Sequence, residues 1–226
     1  MNPTPEKTSV MAPFILMLFL YFIVGLFTVI NQQFQVPLKS ALLPHDGNMT
    51  NALVTLLNFS WFLAYPFSEG FATRWVDRLG YRKTSVYSLL IFIAGLGFYE
   101  AAVLLHIYAP SYITIMGNPI FTGFFVFLSG SFVIGMAVTI LQVVTGLYLD
   151  VNPVGKTTPL QRQMIGGTTN SIGMAIGPLV VSYIIFYGIP LHNVQSREFI
   201  WPVICLIAII CIFTLITARI KMPAIN

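Results

Sequence analysis

Six apolar stretches, separated by short polar segments, constrain what this chain can fold into more than any other feature. They run from about Pro13 to Pro37, Ala52 to Trp75, Ser85 to His106, Ile120 to Leu149, Ile165 to Ile189 and Phe199 to Ile220. Each is long enough to cross a hydrocarbon core of about 30 Å as a helix. In lipid the backbone must satisfy its own polar groups within the segment, so helices are the predicted form. Residues 1–12 are then an N-terminal tail, 13–221 one six-helix transmembrane bundle, and 222–226 a C-terminal end. Of 226 residues, 57% are hydrophobic and 8% charged. Soluble domains carry about a quarter charged residues, so there is too little charge here for a water-facing shell. The first apolar run has no small-residue cleavage pattern and reads as a membrane helix rather than a removable signal peptide.

Charge placement sets the orientation. With six spans and the N-terminus inside, the inner segments hold nine basic residues: Lys7, Arg74, Arg78, Arg82, Lys83, Lys156, Arg162, Arg219 and Lys221. The outer segments hold two, Lys39 and Arg197. This bias follows the positive-inside rule and predicts a multi-pass protein of a bacterial inner membrane with both ends cytoplasmic. The same distribution argues against a nucleic-acid partner, because the basic residues are spread between apolar blocks rather than gathered on one soluble face.

Chemistry that needs metal ligands or a nucleophile and base finds little support. Cys205 and Cys211 share one apolar run and match no disulfide or metal framework spacing. His45, His106 and His192 all fall near the outer surface, where solvated histidines are the expectation and pH sensing the alternative. Asn48-Met49-Thr50 is a formal glycosylation sequon, without meaning in a bacterial context. Glu69 is expected near the inner headgroups within reach of Arg74. Glu100 is either a snorkelling carboxylate or a buried coupling group. No span pairs carboxylates on one face, so neither enzyme activity nor a cofactor is expected.

Uncharged polar residues at membrane depth say more. Asn31, Gln32, Gln33 and Gln35 cluster late in the first span, Asn58 lies in the second and Gln142 in the fourth. Thr168, Thr169, Asn170 and Ser171 lie in the fifth. An amide offers donors and acceptors together, which suits sugar hydroxyls, and each must be satisfied by ligand, water or another helix. Interhelical bonding is the alternative for any one of them. As a set they predict a polar cavity, with Asn31, Gln32, Gln35, Asn58, Gln142 and Asn170 as substrate-binding residues. Gly173 and Gly177, with Pro178 following, have the spacing of a close helix–helix contact.

The loop Asp77-Arg78-Leu79-Gly80-Tyr81-Arg82-Lys83 resembles the cytoplasmic signature of the major facilitator superfamily, with Thr73 in place of its opening glycine. More narrowly, the chain looks like the fucose permease and glucose/galactose transporter branch. Gly25 to Pro37 is similar to that branch's first helix, with Asn31-Gln32 at its Asn-Asp pair. Ile140-Leu141-Gln142 is similar to its fourth helix, with Gly146-Leu147-Tyr148 in place of Asn-Pro-Tyr. Asn170-Ser171-Ile172-Gly173, continuing to Gly177-Pro178-Leu179, is similar to the fifth helix, and Arg162 stands at the family's arginine. Gly167 replaces the family amide ahead of Asn170, and Thr28-Val29 replace paired asparagines.

The resemblance implies an all-α membrane fold. It would be one half of a major facilitator transporter, built as two three-helix inverted repeats with substrate at the midplane. Asp77, Arg78, Gly80, Arg82, Lys83 and Arg162 would serve the inner gate. A sugar is the implied substrate, reached by alternating access. Proton coupling would lack its titrating carboxylate, because Gln32 and Gln142 cannot change charge. A lone half leaves its cavity face uncovered, so a second six-helix half or a homodimer is the implied partner besides the lipid bilayer. A non-transporting scaffold or remnant stays as the competing expectation.

Overall fold

The computed structural model describes residues 10–43, 47–115 and 117–222. Among the described residues, five helices are long and apolar enough to cross a membrane. Helix α1 (Met11–Gln33) continues into α2 (Gln35–Leu42) with only Phe34 between them. The cause of the break is Pro37, which has no N–H for the Gln33 carbonyl and whose ring crowds the preceding turn. The ladder survives on either side: Phe34 N–H donates to Ile30 O at 3.0 Å and Leu38 N–H to Phe34 O at 3.0 Å. The expected end of the first span at Pro37 is therefore a kink, and helix extends to Leu42.

Helix α3 (Asn48–Tyr108) holds 61 residues. Straight, it would be about 90 Å long, three times the hydrocarbon thickness. Gly80 resolves this with φ +80° and ψ 166°, a left-handed conformation that favours glycine. The two arms, 48–79 and 81–108, fold back on each other. The Trp75 and Tyr87 rings lie 6.2 Å apart, where a straight helix would separate them by about 18 Å. Thr84 Oγ1 bonds both Gly80 O and, across the turn, Trp75 O at 3.0 Å. The helix resumes directly after Gly80, earlier than the expected start at Ser85.

An antiparallel hairpin follows, β1 (Tyr112–Ile115) and β2 (Asn118–Phe121), with Tyr112 opposite Phe121. The hydropathy pattern does not foretell it. Helix α4 (Gly123–Val151) is the most enclosed element and packs along both arms of α3. Ser60 and Ser131 bridge it to the first arm, donating to Leu128 O at 2.9 Å and Leu57 O at 3.1 Å. Ser88 ties the second arm to Ala137 O at 2.5 Å. Glycines permit these approaches: a Cβ on Gly135 would sit 2.6 Å from Trp61 O, and one on Gly130 2.9 Å from Gly95 O.

Helix α5 (Pro159–Leu179) starts at a capping box, with Thr158 and Gln161 bonding reciprocally and Pro159 in the first turn. After Pro178 it widens into a π-helical turn, Val180–Ile185, where Phe186 N–H reaches Val181 O at 3.1 Å. Two 3₁₀ turns lead into α6 (Ile200–Arg219), which packs on α3. Five rings, Phe34, Tyr99, Phe127, Phe186 and Phe199, join the α1–α2 junction to α3, α4 and the start of α6. The closest pair, Tyr99 and Phe127, stacks at 3.7 Å.

Candidate functional site

The amides separate into two kinds. Asn31 is 2% exposed. Its Oδ1 accepts from the Tyr99 hydroxyl at 3.0 Å and from Ser131 Oγ at 3.0 Å, and its Nδ2 donates to Asn58 Oδ1 at 3.3 Å. One side chain thereby links α1, both arms of α3 and α4. Asn58 and Tyr99 meet it from opposite arms, although along a straight helix they would stand about 60 Å apart. Asn31 and Asn58 are brought together, and the bonds of Asn31 run to helices. Tyr99 and Ser131 escaped the sequence reading. The available signal was that a deep asparagine needs partners, and a serine beside a glycine in the next long span is one.

Asn170 behaves similarly, its Nδ2 donating to Tyr21 O at 3.0 Å. It sits where α1 and α5 cross with little between them. A Cβ on Gly25 would overlap the Asn170 carbonyl, one on Gly173 the Phe22 carbonyl, and one on Gly177 would lie 2.8 Å from Val29 Cβ. Gly173 and Gly177 thus face α1, and Pro178 leads from this crossing into the π turn.

Gln32, Gln35 and Gln142 are different. All three are half-buried, and their side-chain amides have no hydrogen-bond partner among the described residues. Gln32 follows by one turn Thr28 of α1, whose hydroxyl donates to Val24 O at 2.8 Å. Gln142 projects from the middle of α4. The structure does not join Gln142 to the Asn31 cluster by any hydrogen bond among the described residues. These three keep their donors and acceptors for water or a solute.

Gln35 also lines a cavity of about 730 Å³ between α2 and the start of α3, with Lys39, Ser40, Asn51, Thr55 and His192 as the other polar residues among those described. Ser40 Oγ donates to His192 O at 2.6 Å, holding α2 against the segment before α6. Nearby, Ser196 Oγ donates to Ala41 O at 3.0 Å and stands 2.7 Å from His106 Nδ1. His106 is thus a packed residue, with Phe121 edge-on at 4.8 Å, rather than a solvated one, whereas His192 is exposed. His45 lies outside the described residues.

Around the Gly80 turn Asp77, Arg78, Arg82 and Lys83 are exposed. Arg162 is 2% exposed. Its Nε donates to Leu149 O at 2.6 Å, Nη2 to Asp150 O at 2.7 Å and Nη1 to Thr157 O at 2.8 Å. Two of these carbonyls belong to the last turn of α4, where orphan acceptors and the helix dipole favour a cation. Arg162 therefore clasps the end of α4 to the start of α5, a contact that charge counting could not foresee. Glu100 has one buried carboxylate oxygen without a hydrogen-bond partner, and Glu69 is exposed. Cys205 and Cys211 are free thiols.

No family model matches the sequence, and no curated protein matches it. The fold has a counterpart among solved structures, the inward open conformation of the xylose transporter XylE from E. coli. The TM-score is 0.62 at 16% sequence identity, covering 95% of this chain and 48% of that one. The chain thus spans about half the length of the transporter it matches. At this identity the likeness establishes the architecture: a helical, multi-pass membrane fold shared with half of a sugar transporter.

Proposed function

We propose that this chain is the N-terminal six-helix half of a major facilitator sugar transporter, of the fucose permease and glucose/galactose type, working by alternating access. The six spans are α1 with α2, the two arms of α3, α4, α5 with its π turn, and α6, arranged as two three-helix repeats. The observation that carries the reading is the match of nearly the whole chain to half of a xylose transporter, joined to unpaired neutral amides at membrane depth. Neutral amides hydrogen-bond hydroxyls without the cost of burying charge. Gln32, Gln35 and Gln142 present these groups to the sugar. Asn31, Asn58 and Asn170 shape the same wall while holding the helices.

The signature loop at Gly80 and the Arg162 clasp belong to the inner gate, on the cytoplasmic side of a bacterial inner membrane. The open face of the half is covered by a second six-helix half or a second copy of this chain. The chain carries no enzyme activity, cofactor or metal in this reading. Uptake of labelled hexoses into proteoliposomes, with the chain alone and with a second half co-expressed, tests it, with and without a proton gradient. Saturable uptake independent of the gradient is the expected result, because Gln32 and Gln142 do not titrate. Failure of every form to take up or bind sugar would sink it. A second reading, a non-transporting scaffold, draws support from the interhelical bonds of Asn31 and Asn170. Saturable sugar binding abolished by Gln32→Ala or Gln142→Ala eliminates that alternative.

A further inference from the structure

The cavity between α2 and α3 has features that the midplane reading does not use. Its walls are α2, the first turns of α3 and His192. At about 730 Å³ it falls within the range of ligand pockets, about 300–1,000 Å³. The amides of Gln35 and Asn51 have no side-chain partner among the described residues. The Ser40 and Thr55 hydroxyls donate to backbone carbonyls, which leaves their lone pairs to accept. Val36, Leu43 and Val54 supply aliphatic surface between these groups. The lysine of the lining among the described residues, Lys39, already has an interaction partner.

Helical spacing continues both walls inward. Asn51, Thr55 and Asn58 recur at i, i+4 and i+7 on one face of α3. Gln35 stands one turn beyond Asn31. The Asn31–Asn58 bond at 3.3 Å therefore lies one turn below the cavity on both sides, where a polar stripe from the surface meets the helix-locking network.

We infer that this cavity is a separate outer subsite for an uncharged polyhydroxylated solute, occupied before the solute reaches the midplane glutamines. Neutral donors and acceptors alternate there with aliphatic patches, as hydroxyl edges alternate with C–H faces on a sugar ring. The wall formed by α2 lacks one ladder bond to α1, at Pro37, and is tethered by Ser40 to the His192 carbonyl and by Ser196 to the Ala41 carbonyl. The subsite rests on the transport reading for its role and shares Gln35 with it, but its other neutral polar residues, Ser40, Asn51 and Thr55, stand apart from Gln32 and Gln142.

Cysteine accessibility separates the two. Asn51→Cys and Thr55→Cys, both at exposed positions, and Gln142→Cys are each made with Cys205→Ala and Cys211→Ala. The full chain is reconstituted in lipid, and a membrane-impermeant maleimide is applied in D-glucose, D-galactose, L-fucose or D-xylose. In at least one sugar, labelling at 51 and 55 slows about tenfold at about ten times the dissociation constant, because the reagent reads the unoccupied fraction. The protection persists when Gln142→Ala is added. Protection at 142 with none at 51 and 55 overturns the subsite and leaves the transport reading standing. Protection at none of the three overturns both. Equal slowing by polyethylene glycol at matched osmolality, or protection only by a sugar acid, also overturns the subsite.

Discussion

Helix α1 is held in two ways along its length. Toward α5 its backbone is pressed against another backbone through Gly25, Gly173 and Gly177. Toward α3 and α4 it is held by one buried amide with three partners, Asn31. Lipid tails are as apolar as leucine, so association inside a bilayer draws on close packing and hydrogen bonds rather than on exclusion of water. The first contact has no room for a methyl group. The second fixes register by geometry yet leaves the neighbouring residue, Gln32, free to turn outward. Packing and polar glue thus divide the helix, and the residues left over from the glue are the ones able to meet a solute.

The sharpest way to break this comparison is Gly173→Leu. Its side chain would meet the Phe22 carbonyl, and backbone cannot retreat as a flexible side chain can. A loss of about 3 kcal/mol and a matching fall in thermal midpoint in lipid nanodiscs are expected. Asn31→Leu comes next. It strands the Tyr99 hydroxyl and Asn58, leaves Ser131 only its bond to the Leu57 carbonyl, and should cost about 2 kcal/mol, read by the same unfolding measurement. A cost equal to or above that of Gly173→Leu would reverse the ranking.

Ser131→Ala removes one of the three bonds to Asn31, together with the bond to Leu57 O, and should cost about 1 kcal/mol. In a double-mutant cycle with Asn31→Leu, a coupling energy of about 0.6 kcal/mol or more is expected. Additivity would show that the hub acts as separate contacts. Smallest of all, Gln32→Ala should change stability by less than about 0.5 kcal/mol while abolishing sugar binding measured by calorimetry. A large loss of stability without a binding effect would move Gln32 from the solute-facing group to the glue.

Much of the architecture was legible because it follows from local patterns. Hydropathy located the apolar runs, and the segment Asp77-Arg78-Leu79-Gly80-Tyr81-Arg82-Lys83 was expected as a loop between two of them from its resemblance to a signature loop. The Gly173–Gly177 spacing announced a close contact, and the structure supplied its partner in α1. The Pro37 kink, the π turn after Pro178 and the β1–β2 hairpin were not legible, because each depends on how freed backbone groups are satisfied by neighbours. Arg162 shows the same limit. Its charge counted toward orientation, yet its three bonds go to carbonyls of the turn it folds back upon.

What the sequence alone determined is that this chain must live in lipid, folded as apolar helices joined by short polar turns, with amides at depth that demand partners. Those conclusions need only composition, spacing and the cost of an unsatisfied polar group. Which amides are spent on helices and which remain open was decided by tertiary structure alone. Asn31 and Gln32 are adjacent and chemically alike, and one residue of helical rotation separates a bonded hub from a free side chain. No local pattern carries that distinction, because a hydrogen bond to Ser131 or Tyr99 exists only once distant segments have packed.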